Sequence, residues 1–294
     1  MIELLRALRK YFFRHRQDRE RPGPAPEAQE PVGHAPAPAP DLTQEEEDRV
    51  LARFLAMPIS SPDEVFAAFR DLPGAIESHG GEKQGYLYVP GTRPDRVVLA
   101  AHADTFFDRA YHGQELSNTA VLEDGVYHGT DPSASIGADD RSGCAILWLL
   151  RDMGHSLLIL DGEEHGQIGS HYLKEQDPEL FREINEHSYI VQFDRRGSSD
   201  LRFYSLPVTG AFVSFIREKT GYQDVTGPGR TDIVALCRDV CGVNLSVGYY
   251  REHHADEILA VEEWRHTLHI AREMLSGPQE RYPLAGSSRS SGSF

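Results

Sequence analysis

Polar side chains with metal-binding chemistry follow three apolar runs between Val97 and Gly166. These stretches read VVLAAHADT, IGADDRSG and LLILDGEEHG. Buried parallel strands are near-continuous apolar runs, and open α/β sheets place their sites at the carboxyl ends of such strands. We therefore expect the His, Asp and Glu side chains of these stretches to converge in one crevice.

Imidazole and carboxylate groups recur in the same kind of position further along the chain. The residues that follow predicted strands or occupy tight turns are His102, Asp104, Asp139, Asp140, Glu163, Glu164, Asp194 and either His253 or His254. Mixed nitrogen and oxygen ligands suit Zn²⁺, with Mn²⁺ or Co²⁺ as alternatives. One ion does not need so many ligands, whereas two ions about 3.5–4 Å apart with a bridging carboxylate would use them all. The pattern indicates a metal-dependent hydrolase with a dinuclear site.

The order of these motifs resembles the dinuclear zinc exopeptidase superfamily, which includes bacterial leucyl aminopeptidase, peptidase T and acetylornithine deacetylase. The shared features are an HxD pair, GADDRSG, a Glu pair, a lone Asp after a strand and a late His before an acidic residue. They lie in that order within about Gly85 to Leu275. The resemblance implies an enzyme of the zinc metallopeptidase or amidohydrolase type.

The resemblance also implies a ligand set for two Zn²⁺ ions. It assigns His102, Asp139 and Asp194 to the first ion, and Asp139, Glu164 and His253 to the second, with Asp139 as the bridge. It further implies a cis peptide bond between Asp139 and Asp140. In the family the last ligand lies four residues before an acidic residue, as His253 does before Glu257. His254 stays open as the alternative.

Further roles follow from the same resemblance. Asp104 would hydrogen-bond the far ring nitrogen of His102 and fix its tautomer. Glu163 would be the general base that takes a proton from water and passes it to the leaving nitrogen. Arg230 and Asp232 lie in a region that lines the substrate cleft in related proteins, so we expect them to bind substrate. Thr231, between them, also fits a helix N-cap.

The elements that must position these residues alternate between strands and helices. GYLYVPG, RVVLAAH, LLILD, YIVQFD and VNLSVGYY are predicted strands, and CAILWLLRDM, GAFVSFIREKTG, IVALCRDVCG and AVEEWRHTLHIAREML are predicted helices. Thr43–Glu46 and Ser61–Glu64 resemble capping boxes of two earlier helices, and Glu123–Gly125 resembles a hairpin turn. This alternation predicts an α/β fold, a three-layer α/β/α sandwich with a mostly parallel mixed central sheet.

Composition divides the chain into four segments. Residues 1–21 form an expected basic amphipathic helix, and residues 22–41 are a Pro/Ala-rich linker that cannot build a core. Residues 42–276 are the predicted dinuclear metallohydrolase domain. Residues 277–294 are a Gly/Ser-rich tail that we expect to be disordered.

The spacing of the ligands limits what the domain can contain. His102 and Asp139 are 37 positions apart, and Asp194 and His253 are 59 positions apart. Family members with a dimerisation lid carry about a hundred extra residues between the later ligands, and shell-forming members insert a small barrel between the earlier ones. Neither insertion fits these spacings, so we expect a lidless catalytic domain whose layout is closest to the simple aminopeptidases.

Charge and cysteine content limit the partners and the compartment. The net charge of −16 argues against nucleic acid as a partner. Three cysteines are an odd, sparse set, which fits a reducing, cytoplasmic compartment. Cys237 and Cys241 are expected to be buried thiols on one helix. No run of about 18 apolar residues occurs, and residues 1–21 fit either docking to a membrane surface or a protein partner, or a frayed extension.

Three functions remain open on the sequence. The first is an aminopeptidase that removes N-terminal residues from peptides, and the second is a deacylase or amidohydrolase that acts on N-acyl amino acids or other small amides. The third is a non-catalytic metal-binding scaffold recruited through its N-terminal helix. An acidic group near the metals would favour a substrate with a free amine, whereas arginine would favour a carboxylate. Arg195 and Arg196 fit such an arginine site or a surface ion pair.

Overall fold

The computed structural model describes residues 42–108 and 120–287. The predicted basic helix of residues 1–21 and the linker of residues 22–41 lie outside these residues. Within them, no helix combines the length and the apolar character that crossing a bilayer requires.

The described residues contain twelve strands and eight α-helices. Along the chain they are α1 (Gln44–Leu55), α2 (Asp63–Arg70), β1 (Ile76–His79), β2 (Gly85–Val89), β3 (Val98–His102), β4 (Ala120–Glu123), β5 (Val126–Gly129), α3 (Ala138–Leu150), β6 (Ser156–Leu160), α4 (Ile168–Gln176), α5 (Pro178–Ile184), β7 (Ile190–Arg195), β8 (Asp200–Arg202), α6 (Gly210–Thr220), β9 (Gln223–Asp224), α7 (Asp232–Leu236), β10 (Gly242–Ser246), β11 (Tyr249–Tyr250), β12 (Ile258–Ala260) and α8 (Val261–Ser276). A short 3₁₀ turn, Arg151–Met153, follows α3.

The central sheet has eight strands in the order β1-β2-β6-β3-β7-β10-β8-β9. Strands β6, β3, β7 and β10 run parallel to one another, while β2 pairs antiparallel with β6, and β8 pairs antiparallel with β10. Helix α3 packs on β3 and β7. Helix α4 packs on β2, and α7 packs on β7 and β10. The predicted three-layer α/β/α sandwich with a mostly parallel mixed sheet is confirmed.

The parallel strands position the site because their carboxyl ends meet at one edge of the sheet. Strands β3 and β6 read VLAAH and SLLIL, and every residue in them is buried. In their parallel register His102 pairs with Leu160, and Ala100 of β3 pairs with Gln192 of β7. The polar residues at the ends of β3, β6 and β7 are therefore neighbours.

A second, antiparallel sheet has four strands in the order β11-β12-β5-β4. The predicted hairpin turn joins β4 to β5, with Asp124 and Gly125 at φ angles of 49° and 80°. Two central residues with positive φ are what a tight hairpin turn needs. The loop between β11 and β12 carries His253, so this small sheet brings the last predicted ligand to the site.

The helix predicted over IVALCRDVCG is shorter than expected. It ends at Leu236, and Cys237 already has extended angles (φ −78°, ψ 110°). Cys241 leads into β10, where its N–H donates to the carbonyl of Tyr282 at 2.8 Å. Both thiols are buried and free as expected, but they do not share a helix.

The two expected capping boxes have different outcomes. At α1 the box is present: the Glu46 N–H donates to Thr43 Oγ1 at 3.3 Å, and the Thr43 N–H donates to Glu46 Oε2 at 2.8 Å. At α2 the Asp63 N–H donates to Ser61 Oγ at 3.1 Å and Pro62 is the N-cap, so the reciprocal pair is missing. The helix begins one residue later than the box requires, so the residue three positions after the N-cap is Val65, whose side chain cannot accept a hydrogen bond.

Residues 277–287 differ from the disordered tail expected over residues 277–294, of which residues 288–294 lie outside the described residues. Residues 277–287 lie against the domain, with Tyr282 and Leu284 both 7% exposed. The Tyr282 ring packs 5.2 Å from Phe212 and 5.1 Å from Phe215, and Pro283 forms an antiparallel bridge with Val240. The apolar residues ahead of the Gly/Ser run explain the difference, because burying their side chains stabilises the folded state.

Candidate metal centre

Three neighbouring strand ends supply the first part of the site. His102 is the last residue of β3, Asp194 is the penultimate residue of β7, and Glu163 and Glu164 follow β6 after a turn. Gly162 makes that turn at φ 74°, and a Cβ there would lie 2.8 Å from the carbonyl oxygen of Lys83. The turn therefore requires glycine, as positive φ and the close approach of another backbone both predict.

Asp139 lies between the two histidines that the sequence selected. Its Oδ1 is 3.0 Å from Nε2 of His102, and its Oδ2 is 3.3 Å from Nε2 of His253. The peptide bond between Asp139 and Asp140 is cis, as expected. The two oxygens of one carboxylate thus face two different imidazoles, which is the arrangement that a bridging ligand needs.

The remaining predicted ligands lie on either side of Asp139. Asp194 Oδ1 is 3.4 Å from Nε2 of His102, and Glu164 Oε2 is 2.8 Å from Nε2 of His253. Each imidazole therefore has one further carboxylate beside it. The structure brings the five predicted ligands together in two groups that share Asp139.

Asp140 also lies close to this centre, within 4.8 Å of His102 and Asp194. Its carboxylate is engaged by the backbone, since Oδ2 accepts from the His102 N–H at 3.1 Å and Oδ1 accepts from the Gly143 N–H at 3.0 Å. The regular part of α3 begins after Asp140, whose own φ and ψ are not helical. Asp140 thus caps the helix and fixes the end of β3.

The donor set fits divalent cations. Oε1 of Glu164 is buried and has no hydrogen-bond partner among the described residues. Burial and the neighbouring Asp139 carboxylate raise the pKa of Glu164 to about 7, although His253 opposes the shift. Burial and the Asp194 carboxylate likewise raise the pKa of Glu163 well above its ordinary value. A cation would relieve this repulsion among crowded carboxylates.

Asp104 supports both His102 and the Glu pair. Its Oδ1 is 3.3 Å from Nδ1 of His102, and its carbonyl oxygen is 3.1 Å from the same nitrogen. The N–H groups of Glu163 and Glu164 donate to the two carboxylate oxygens of Asp104 at 3.2 and 3.3 Å. Burial opposes its ionisation, but His102 and Lys83 keep the pKa of Asp104 below its ordinary value. One carboxylate thus orients an imidazole and the loop that carries Glu163.

Two buried groups near Asp104 and Asp139 were assigned no role from the sequence. Lys83 forms ion pairs with Asp108 and, at 3.2 Å, with Asp161, and it faces Asp104. Glu257 accepts from the N–H groups of Ala138 and Asp139 at 3.1 and 2.9 Å. For Glu257 its spacing from His253 was a signal, whereas nothing local in the sequence indicates the role of Lys83.

The structure distinguishes the two candidate histidines. His254 Nδ1 is 2.8 Å from the carbonyl oxygen of Glu252, and its side chain does not line the cavity of the site. His253 faces Glu164 and Asp139, and the ring of Phe106 stacks on it at a centroid distance of 4.8 Å. Of the two, His253 is the one in position to bind a metal.

Asp194 is held by one side chain of its own strand and by two from other elements. Thr231 Oγ1 donates to its Oδ2 at 2.8 Å, Tyr249 donates to its Oδ1 at 3.2 Å, and Gln192 Nε2 donates to its Oδ2 at 2.9 Å. Thr231 is the N-cap residue of α7 by position, but its side chain makes no capping bond. Its hydroxyl orients Asp194 instead of capping the helix.

A cavity of about 320 Å³ opens onto this centre. Its lining includes Glu163 and four of the five predicted ligands, together with Arg195, Arg196, Arg202 and Arg230. Arg230 is exposed at the wall, where it was expected. Asp232 is not: it is fully buried, outside the lining, and both of its carboxylate oxygens lack hydrogen-bond partners among the described residues. The expectation that Asp232 contacts substrate is corrected, because as the first residue of α7 it points into the protein.

No protein-family model and no curated protein matches the sequence. Solved structures do match the fold. Aminopeptidase PepT from Bacillus cereus has a TM-score of 0.59 at 13% identity over 80% of this chain and 98% of that chain. A tripeptidase from Staphylococcus aureus has a TM-score of 0.56 at 11% identity over 80% and 98% of the two chains. A Bacteroides vulgatus protein, described as a zinc-dependent exopeptidase, has a TM-score of 0.52 at 11% identity over 82% and 99%.

At these identities the likeness defines the fold. The chain has the fold of zinc-dependent exopeptidases, and the solved proteins that share it include peptidases.

Proposed function

We propose that this chain is a metal-dependent aminopeptidase that removes N-terminal residues from short peptides, with two Zn²⁺ ions as cofactors. The observation that carries the proposal is the position of Asp139, which presents one oxygen to each of two imidazoles beside a cavity wall that also carries Glu163. The aminopeptidase and tripeptidase that share the fold support the reaction class.

The residues that would hold the ions are His102, Asp139, Asp194, Glu164 and His253. Ions bound there would polarise the amide carbonyl and lower the pKa of water. Glu163 lines the cavity but belongs to neither group of clustered ligand atoms, so its carboxylate is free to take a proton from water and deliver it to the leaving nitrogen. Asp104 would keep the Glu163 backbone and the His102 ring in position during this transfer.

A deacylase of N-acyl amino acids is the second candidate, and the cavity arginines favour it. Four arginine side chains line the same cavity as Glu163. Guanidinium groups recognise carboxylates, and an N-acyl amino acid carries a carboxylate without a free amine. The two candidates share the bond cleaved and the proton transfer by Glu163, and they differ in the group that the substrate presents.

The test combines metal content with turnover by the zinc-loaded protein. The protein is assayed with a panel of aminoacyl peptides and with a panel of N-acyl amino acids. We expect two Zn²⁺ per chain by elemental analysis and hydrolysis of members of the aminoacyl-peptide panel. Glu163→Gln should keep both ions and lose at least about 100-fold in kcat, because proton transfer by a positioned base contributes about 10²–10⁴-fold. The matched control Glu179→Gln, on the exposed face of α5, should keep wild-type turnover.

The outcomes separate the candidates. Turnover of N-acyl amino acids but not of peptides would replace the aminopeptidase by the deacylase. Two bound ions with no turnover of either panel would refute both enzymes and favour a metal-binding scaffold. Full activity of Glu163→Gln would show that another group is the base.

A further inference from the structure

The positive charge in the cavity is unevenly compensated. Arg195 Nη2 lies 3.3 Å from Asp200 Oδ2, and Arg196 Nη1 lies 2.8 Å from Glu252 Oε1, so these two guanidinium groups have carboxylate partners. Arg202 and Arg230 line the same cavity. The remaining question is what balances the charge of this second pair.

Arg202 is a buried cation without an acidic partner. It is 9% exposed, and its Nη2 donates to the carbonyl oxygen of Gly227. Its guanidinium carbon lies 4.4 Å from the centroid of the Tyr204 ring. No carboxylate lies within ion-pair distance of Arg202 across residues 42–108 and 120–287. Because burying an unpaired charge is costly, a polar carbonyl and an aromatic face leave this cation incompletely compensated.

The loop that covers Arg202 is built around it. Gly229 has a φ of 137°, and a Cβ there would lie 3.1 Å from Nη1 of Arg202. The next residue, Arg230, is exposed at the cavity wall and has no ion pair with any residue that the structure describes. The glycine thus lets the loop close over one guanidinium while it presents a second one to the same space.

Both arginines are tied to the strand that carries Asp194. Asn244 Nδ2 donates to the Tyr204 hydroxyl at 3.1 Å and to the Asp194 carbonyl oxygen at 2.7 Å, which fixes the ring that Arg202 stacks on. Arg230 precedes Thr231, whose hydroxyl donates to the Asp194 carboxylate. The two cations are therefore held at fixed positions relative to the metal centre.

We infer that Arg202 and Arg230 form a carboxylate-binding subsite that selects substrates with a negative group beyond the cleaved amide. The inference rests on the proposed hydrolysis at this site and names its substrate class: short peptides whose carboxylate reaches the arginine pair. A cavity of about 320 Å³ suits a small ligand. The carboxylate comes either from the C-terminus of the peptide or from an acidic side chain, and the test separates these sources.

The experiment measures binding first, so that it does not depend on turnover. The zinc-loaded Glu163→Gln protein is titrated by calorimetry with leucyl-glycine, with the neutral leucyl-glycinamide, and with leucyl-glutamic acid α-amide. We expect a carboxylate-bearing ligand to bind at least about tenfold more tightly than the neutral amide, since hydrogen bonds to charged groups are the stronger ones. Adding Arg202→Gln or Arg230→Gln to this protein should reduce that preference to about threefold or less.

Two controls keep the result interpretable. Arg217→Gln removes an arginine on α6 that is 51% exposed and outside the cavity, so it should keep the full preference. Arg230 is exposed, so its variant is expected to fold even if replacement of the buried Arg202 unfolds the domain, and thermal melts identify that case. The same peptides are then given to the metal-loaded wild type to compare kcat/KM.

Each outcome bears on the inference. A preference for leucyl-glycine assigns the C-terminal carboxylate, and a preference for the glutamic acid ligand assigns an acidic side chain. Equal binding of all three ligands overturns the subsite, and so does a preference that survives in both arginine variants, because the metal centre would then hold the carboxylate. A preference lost with the arginines, but without hydrolysis by the wild type, would refute the proposed function and leave the subsite standing.

Discussion

Glu257 connects the loop that carries His253 to the backbone of Asp139 in the candidate metal centre. Its carboxylate accepts from the backbone N–H groups of Ala138 and Asp139, and it lies on the same loop as His253. Burial and the nearby Asp139 carboxylate raise the pKa of Glu257 to about 8. Movement of the His253 loop would therefore disturb the backbone of the bridging residue.

Replacement of the two adjacent histidines gives a test at the scale of single residues. Loss of an outer partner of a ligand costs about 10–100-fold in metal affinity, so His253→Ala, which removes a proposed ligand itself, should cost more than about 100-fold in affinity at one of the two proposed ions. Competition with a chelating dye measures both affinities. His254→Ala is the matched control and should titrate like the wild type. Equal losses in the two variants would contradict the ligand assignment.

At the scale of elements, α1 is fastened to α8 by charged side chains. Glu47 is 1% exposed, and its Oε1 is 3.1 Å from both His269 Nε2 and Arg272 Nη1. Arg265 Nε lies 3.5 Å from its other oxygen. Because the carboxylate contacts two arginines and an imidazole of α8, it joins the first helix of the domain to the last.

Glu47→Ala should lower the free energy of unfolding by roughly 2–3 kcal/mol, since it removes the carboxylate that pairs with the partly buried Arg272 and one of the carboxylates that pair with Arg265. Urea denaturation measures the change. The control is Glu45→Ala in the same helix, whose side chain is 88% exposed and pairs only with Arg49 at 3.3 Å among the described residues. An exposed pair contributes little, so the control should stay within about 0.5 kcal/mol of the wild type. Similar losses in both variants would argue that helix propensity is responsible.

Elements differed in how well their sequences predicted them. The strands β2, β3, β6 and β7 are buried on both faces, so their apolar runs were sufficient for prediction. Strands β1, β8 and β9 went unrecognised, because they have two to four residues and are partly exposed. Helix α7 was predicted too long, since Cys237 and Val240 fit a helical apolar pattern. Val240 and Cys241 instead pair with Pro283 and Tyr282 of the chain beyond α8, and such tertiary contacts override local propensity.

The site shows the same division between local and distant information. His102, Asp139, Glu163 and Glu164 belong to short motifs that can be read from neighbours in the sequence. Arg202 and Lys83 could not be predicted in this way, because their roles arise only when the fold brings separate segments together. Asp232 was misplaced for the converse reason: its motif is recognisable, but its burial is a property of the whole domain.

At the scale of the whole molecule, a buried histidine links stability to pH. His155 is 2% exposed; its Nδ1 accepts from the Val97 N–H at 3.1 Å, and its Nε2 donates to the Leu275 carbonyl at 3.0 Å. Burial, aided by the charge of Arg93, lowers the pKa of His155 to about 4. The unfolded chain binds this proton near pH 6.5, and the folded protein only near pH 4. Acidification between these values therefore favours unfolding.

We expect the free energy of unfolding of His155→Gln to depend less steeply on pH than that of the wild type. Glutamine can make both hydrogen bonds but does not titrate. Between pH 6.5 and 4 the wild type should therefore lose roughly 2–3 kcal/mol more of its free energy of unfolding than the variant does. Urea denaturation at several pH values measures it. His171→Gln on the exposed surface of α4 serves as the control and should follow the wild type. Identical slopes for His155→Gln and the wild type would refute the linkage.

The segment that packs after α8 has a consequence for how the protein is made. Tyr282 covers the rings of Phe212 and Phe215, and its carbonyl accepts from the N–H that precedes β10. On a ribosome these aromatic rings emerge some seventy residues before the side chain that shields them. A nascent or prematurely terminated chain would therefore present an apolar patch of the kind that chaperones and proteases recognise. Only when this short segment has been synthesised can Tyr282 cover these rings and remove the apolar patch from the surface.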